Sequence, residues 1–95
     1  MRVSHYIREE LKKASNIAFG ECELILFGSR VDESKKGGDF DIALVKDISK
    51  KDFDRAKIEF FKYFILKDLD LPIDLVLYGR ADKLLKKEIS KGEIL

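Results

Sequence analysis

One cysteine, Cys22, and one histidine, His5, are all that the chain offers of the two residue types that build disulfides and most zinc sites. A single thiol excludes an internal disulfide and a multi-cysteine zinc centre. A lone imidazole excludes a histidine-rich metal site. An excess of charge is lacking too: 19 Lys and Arg against 18 Asp and Glu leave a net +1. A strongly basic nucleic-acid binder would carry a clear positive surplus, so nucleic acid is not the expected partner. No apolar run approaches the roughly 20 residues that span a bilayer. The start, Met1-Arg-Val-Ser-His, lacks the layout of a signal peptide. These lacks predict a soluble cytoplasmic protein with no membrane association. Proline occurs once, at Pro72, and no repeat, low-complexity stretch or linker interrupts the 95 residues. One domain over 1–95 is therefore expected, with 45% hydrophobic residues supplying a single core.

The apolar pattern that remains is regular. Ser4 is placed to cap a helix to about Phe19, with Ile7, Leu11, Ala14 and Ala18 on one face and Gly20 as its stop. Glu23 to Phe27 reads as a short strand and Gly28 to Gly38 as a loop. Asp39 to Val45 reads as a second strand, with Phe40, Ile42 and Leu44 on one face and Asp39, Asp41 and Ala43 on the other. A helix is expected from Asp52, acting as its cap, to about Lys67. A third strand is expected from Ile73 to Tyr78, and a last helix, capped by Asp82, to about Ser90. The order α-β-β-α-β-α predicts an α/β (α+β) fold, a small mixed sheet of three to four strands flanked by helices.

The chemistry sits where a Gly-Ser turn precedes two aspartates. Leu24-Ile-Leu-Phe-Gly28-Ser29 ends in a glycine that lets backbone approach a phosphate, and in a serine that offers a hydroxyl and an amide. Asp39 and Asp41, at i and i+2 of a strand, share a face at roughly 7 Å along the backbone. They can converge on one hard cation such as magnesium, which shares its shell with substrate phosphates. The spacing alone is common, and Asp52/Asp54 and Asp68/Asp70 repeat it. Those pairs fall on a helix start and in a turn, where i and i+2 share no face. Asp74 adds a third carboxylate inside the apolar strand Pro72-Ile-Asp-Leu-Val-Leu-Tyr78. A buried unpaired aspartate is costly, which directs Asp74 toward a polar cleft, a partner or a metal.

Gly28-Ser29, nine intervening residues, Asp39-Phe-Asp41 and the later Asp74 together resemble the signature of the DNA polymerase β-like nucleotidyltransferase superfamily. The ending Glu88-Ile-Ser-Lys-Gly-Glu-Ile-Leu95 fits as well. The similarity covers essentially the whole chain and is greatest to minimal nucleotidyltransferase (MNT) domain proteins. It implies that Gly28, Ser29 and Arg30 hold the triphosphate of ATP. It implies that Asp39, Asp41 and Asp74 bind Mg2+ and catalyse, with Asp74 near the attacking hydroxyl. The spacer is one residue shorter than usual, and Arg30-Val-Asp-Glu-Ser stands where many members have Arg-Ala-Arg-Gly, so only Arg30 matches.

Larger members add domains that grip an acceptor, and 95 residues are expected to leave no room for one. Minimal members resemble one half of a pair whose other half is a HEPN-domain protein, acting as antitoxin and toxin. The resemblance thus implies transfer of AMP to a tyrosine hydroxyl of such a partner. A non-catalytic antitoxin or complex subunit that neutralises a helical partner by binding is the alternative, and homo- or hetero-oligomers are compatible with both. Ile58, Phe61, Tyr63 and Ile65 make the helix from Asp52 more apolar than one buried stripe requires, consistent either with a partner or with burial between sheet and helices. His5 is expected on the surface and Cys22 in the core.

Overall fold

The computed structural model of the protein describes residues 3–28 and 39–95. In chain order it holds α1 (His5–Phe19), β1 (Glu23–Phe27), β2 (Phe40–Val45), α2 (Lys50–Leu66), β3 (Ile73–Leu77), a single 3₁₀ turn (Tyr78–Arg80), α3 (Lys83–Ser90) and β4 (Glu93–Ile94). The sheet runs β3-β2-β1-β4. β1 is antiparallel to both β2 and β4, and β2 is parallel to β3. The mixed sheet and flanking helices are those the sequence predicts.

Local chemistry sets the boundaries. The Ser4 hydroxyl accepts from the Ile7 N–H at 3.1 Å and opens α1. Gly20, at φ +77°, closes it with its N–H on the Asn16 carbonyl. Asp82 caps α3 by accepting from the Leu85 N–H at 2.8 Å. α2 starts two residues before the expected Asp52: its cap is Ser49, whose hydroxyl accepts from the Asp52 N–H at 3.1 Å. Asp52 is instead the acidic residue of the first turn, where a carboxylate suits the helix dipole.

The two faces of the sheet are covered unequally. Leu24, Leu26, Phe40, Ile42, Leu44, Leu75 and Leu77 point toward α1 and α2 and join Leu11, Ala14, Phe19, Phe53, Phe60 and Phe64 in the main core. Cys22 is half-buried at the margin of that core, and His5 is exposed. The other face carries a smaller cluster, Phe27, Ala43 and Ile89, with Ile25, Val76 and Leu85 around it. Among the described residues, α3 lies over that face, with Tyr78 and Ala81 beside it. β4, the fourth strand, is only two residues long. It follows Gly92, where a Cβ would strike the Leu26 carbonyl and come within 2.8 Å of Ile25 Cγ2.

One polar group sits deep between α1 and α2. Glu10, about 1% exposed, accepts from the Tyr63 hydroxyl at 2.9 Å and is ion-paired to Lys67. The Lys67 hydrogen bond holds its carboxyl below the ordinary 4.5, against the opposing effect of burial, and Tyr63 adds to the lowering.

Candidate active site

Register brings the carboxylates together. Asp41 on β2 is paired directly with Asp74 on the parallel β3, and with Phe27 on β1. Phe27, Asp41 and Asp74 thus form one row across three strands, about 4.8 Å apart from strand to strand. The row below it on the same face is Ile25, Ala43 and Val76, the residues that α3 covers. Asp39 lies one step before β2 on the Asp41 side. The three aspartates therefore emerge where the apolar cover of α3 ends.

Two backbone features fix this row. The Phe40 N–H, between Asp39 and Asp41, donates to the Pro72 carbonyl at 2.7 Å. This bond pins the start of β2 to the residue before β3, and so aligns Asp41 with Asp74. On the other side, Gly28 follows β1 at φ +77°, a conformation that side-chain-bearing residues rarely adopt. A Cβ built there would run into Asp41 Oδ2, with Asp41 Cγ at 3.1 Å and Cβ at 3.3 Å. Gly28 is expected from sequence as a phosphate cradle. The structure gives it a further reason: only a residue without a side chain leaves Asp41 its space.

The electrostatics match the geometry. Asp41 is half-buried, and burial pushes its carboxyl above the ordinary 3.8; the negative charges of Asp74 and Asp39 push the same way. Like charges that raise the Asp41 carboxyl in this way are eased by a positive ion. All three donors are carboxylate oxygens, the chemistry that suits a hard divalent cation. Among the described residues no group of three or more His, Cys, Asp or Glu side chains is arranged to hold a metal ion, so the register pairs Asp41 with Asp74 without closing a three-carboxylate metal site.

The competing pairs are placed differently. Asp54 is bonded to Lys50 at 2.6 Å, and Asp52 belongs to the first turn of α2. Asp68 takes a positive φ of 56° in the turn after α2, and both Asp68 and Asp70 are exposed. Ser29 and Arg30, assigned to the triphosphate by resemblance, lie outside the described residues. The parts played by Pro72 and Phe27 become visible in the fold. The alternation that puts Ile25 and Phe27 on one face was the available signal for the second; the first depends on cross-strand register.

The family model for the nucleotidyltransferase domain matches residues 5–95. The chain belongs to the nucleotidyltransferase domain family. Among solved structures, this nucleotidyltransferase domain is similar to a chain of the toxin–antitoxin complex MntA–HpeT, solved as a mutant with two aspartate-to-glutamate changes. The two share 20% identity at a TM-score of 0.65, over 90% of this chain and 69% of that one. It is similar also to a structure provisionally described as a nucleotidyltransferase, with 27% identity and a TM-score of 0.59, over 93% and 96% of the two chains. No curated protein matches it. Among the described residues of the nucleotidyltransferase domain, no helix is long and apolar enough to cross a membrane.

Proposed function

We propose that the protein is a magnesium-dependent nucleotidyltransferase that moves AMP from ATP to a hydroxyl of a partner protein, a tyrosine of a HEPN-type toxin, and so serves as the antitoxin of a pair. The observation that carries the reading is the placement of Asp41, Asp74 and Asp39 on one edge, where burial first, and then the charges of Asp74 and Asp39, raise the Asp41 carboxyl above its ordinary value. Membership of the nucleotidyltransferase family supports the reaction class. Similarity to a chain of a toxin–antitoxin complex supports the setting.

Asp39, Asp41 and Asp74 are the residues that would hold Mg2+, which when bound neutralises charge on the transferring phosphate and its leaving group. Gly28 follows β1 at the site, and it and the next two residues in sequence, Ser29 and Arg30, are the ones that would receive the triphosphate. Asp74, at an exposed position, takes the proton of the acceptor hydroxyl. The acceptor oxygen bonds to the α-phosphorus, the bond from that phosphorus to the bridging oxygen breaks, and pyrophosphate leaves. Asp41 is more enclosed than Asp74, so its part is to position.

The test is transfer of α-labelled ATP to a co-expressed HEPN-type protein in the presence of Mg2+. The expected result is one labelled tyrosine, with no label when Asp39 and Asp41 are both alanine. Transfer that persists in the double variant would show the assigned site to be wrong. Full neutralisation of the toxin by that same variant would favour an antitoxin that acts by binding.

A further inference from the structure

The long helix α2 carries two apolar faces, and the described residues bury only one of them. Phe53, Phe60 and Phe64 are buried in the main core. Ile58 and Ile65 point the other way and are 68% and 76% exposed. With Phe61 between them they line a groove of about 540 Å³ whose walls include Asp54, Lys57 and Lys62. Phe61 is not free to collapse, because its ring stands edge-on to buried Phe60 at 5.2 Å. The spacing 58, 61, 65 is the 3–4 repeat of a narrow helix-packing seam. It suits another helix better than a strand or a small ligand.

Charge decides what that helix must look like. At 100° per residue, Lys50, Lys51, Arg55, Lys57 and Lys62 all fall within a quarter turn of the seam. The acid in the seam, Asp54, is already bonded to Lys50 at 2.6 Å. Arg55 and Lys62 make no ion pair with any described residue. A second copy of this chain is a poor occupant. In a parallel pair the flank positions would set Lys57 against Lys62, and in an antiparallel pair they would set like against like again.

We propose that the outer seam of α2 is a docking surface for a helix of a partner protein, one with apolar residues at 3–4 spacing and acidic residues along both flanks. The seam lies on the α2 side of the sheet, and the aspartates lie on the α3 side. The docked helix is therefore held apart from the carboxylate edge and is not itself the acceptor of a transferred group. The assignment stands on α2 alone and does not depend on the proposed reaction.

A pair of fluorescein-labelled synthetic helical peptides tests it by anisotropy with the full chain. Both carry leucine at the seam positions; one has glutamate on the flanks and the other lysine. The glutamate peptide is expected to bind at least ten-fold more tightly than the lysine peptide, and to weaken as salt rises. Ile58→Ser with Ile65→Ser is expected to abolish binding while leaving the circular dichroism unchanged, since both side chains are exposed. Asp39→Ala with Asp41→Ala is expected to leave binding unchanged. Equal binding of the two peptides, or none, would overturn the proposal. So would a sedimenting dimer that the Ile58/Ile65 double variant dissociates, since that would make a second copy the occupant.

Discussion

Gly28 leaves the room that Asp41 occupies: a Cβ on the glycine would collide with the aspartate's Oδ2. The two residues come from the facing ends of β1 and β2, where Phe27 pairs with Asp41. Gly28→Ala should act in two ways at once. The positive φ costs an alanine roughly 1–2 kcal/mol, read as a lower midpoint in urea. The displaced carboxylate should weaken Mn2+ binding in the folded fraction by at least ten-fold. Weakened folding with metal affinity untouched would separate Gly28 from the site.

Asp41 should make the metal-free protein less stable as pH rises. Its folded-state carboxyl lies above the ordinary 3.8, chiefly through burial and then through Asp74 and Asp39. The native state therefore binds the proton more tightly than the unfolded chain does. Its favourable contribution is present below 3.8 and is lost as pH climbs through the raised native value. In chelator at neutral pH, Asp41→Asn should melt higher than wild type, and the gap should close on acidification. Adding Mg2+ should raise the wild-type melting temperature and leave the variant unmoved. A variant that melts lower at neutral pH would show that Asp41 already has a favourable partner.

Glu10 has the opposite sign. Lys67 and Tyr63 hold its carboxyl below the ordinary 4.5, so its contribution is present above 4.5 and fades as pH falls through the lowered native value. Wild type should lose stability more steeply than Glu10→Gln below about pH 4.5. Thermal melts of the two proteins across that window check it. Parallel curves would mean that the ion pair between α1 and α2 contributes nothing to the pH dependence.

Phe60 is the residue on which the aromatic layer turns. It is fully buried, and its ring meets Phe61 at 5.2 Å and Phe64 at 5.4 Å, with Phe19 at 6.3 Å. Phe60→Ala should cost about 3–5 kcal/mol, measured by urea denaturation. A loss below 1 kcal/mol, on the order of a tolerated core swap, would mean that the neighbouring rings close the cavity.

Much of this arrangement could be read before any coordinates. Ser4, Gly20 and Asp82 carry their own capping chemistry, so α1 begins and ends, and α3 begins, where residue type dictates. The strict alternation of Phe40 to Leu44 fixes which side of β2 faces the core, and with it the side on which Asp39 and Asp41 stand. What was not legible depends on contacts distant in sequence. A carboxylate also caps helices, so residue type points to Asp52 as the start of α2; Ser49, three residues earlier, forms the bond. β4 is too short to show a period, and it exists because Gly92 lets the chain press against Leu26. That Asp41 faces Asp74 is a matter of register, set by the Phe40 to Pro72 hydrogen bond and by no local pattern. Which side of α2 stays bare likewise followed only once the sheet had claimed Phe53, Phe60 and Phe64.

The most direct test of the central claim, that Asp39, Asp41 and Asp74 form one cation-binding edge, is a titration of 15N-labelled protein with Mn2+ and ATP, followed by paramagnetic broadening of amide signals. Broadening should begin at Gly28, Asp39, Asp41 and Asp74, and Asp41→Asn should remove it at the same metal concentration. Broadening that begins instead at Asp52 and Asp54, or at Asp68 and Asp70, and survives in Asp41→Asn would contradict the account.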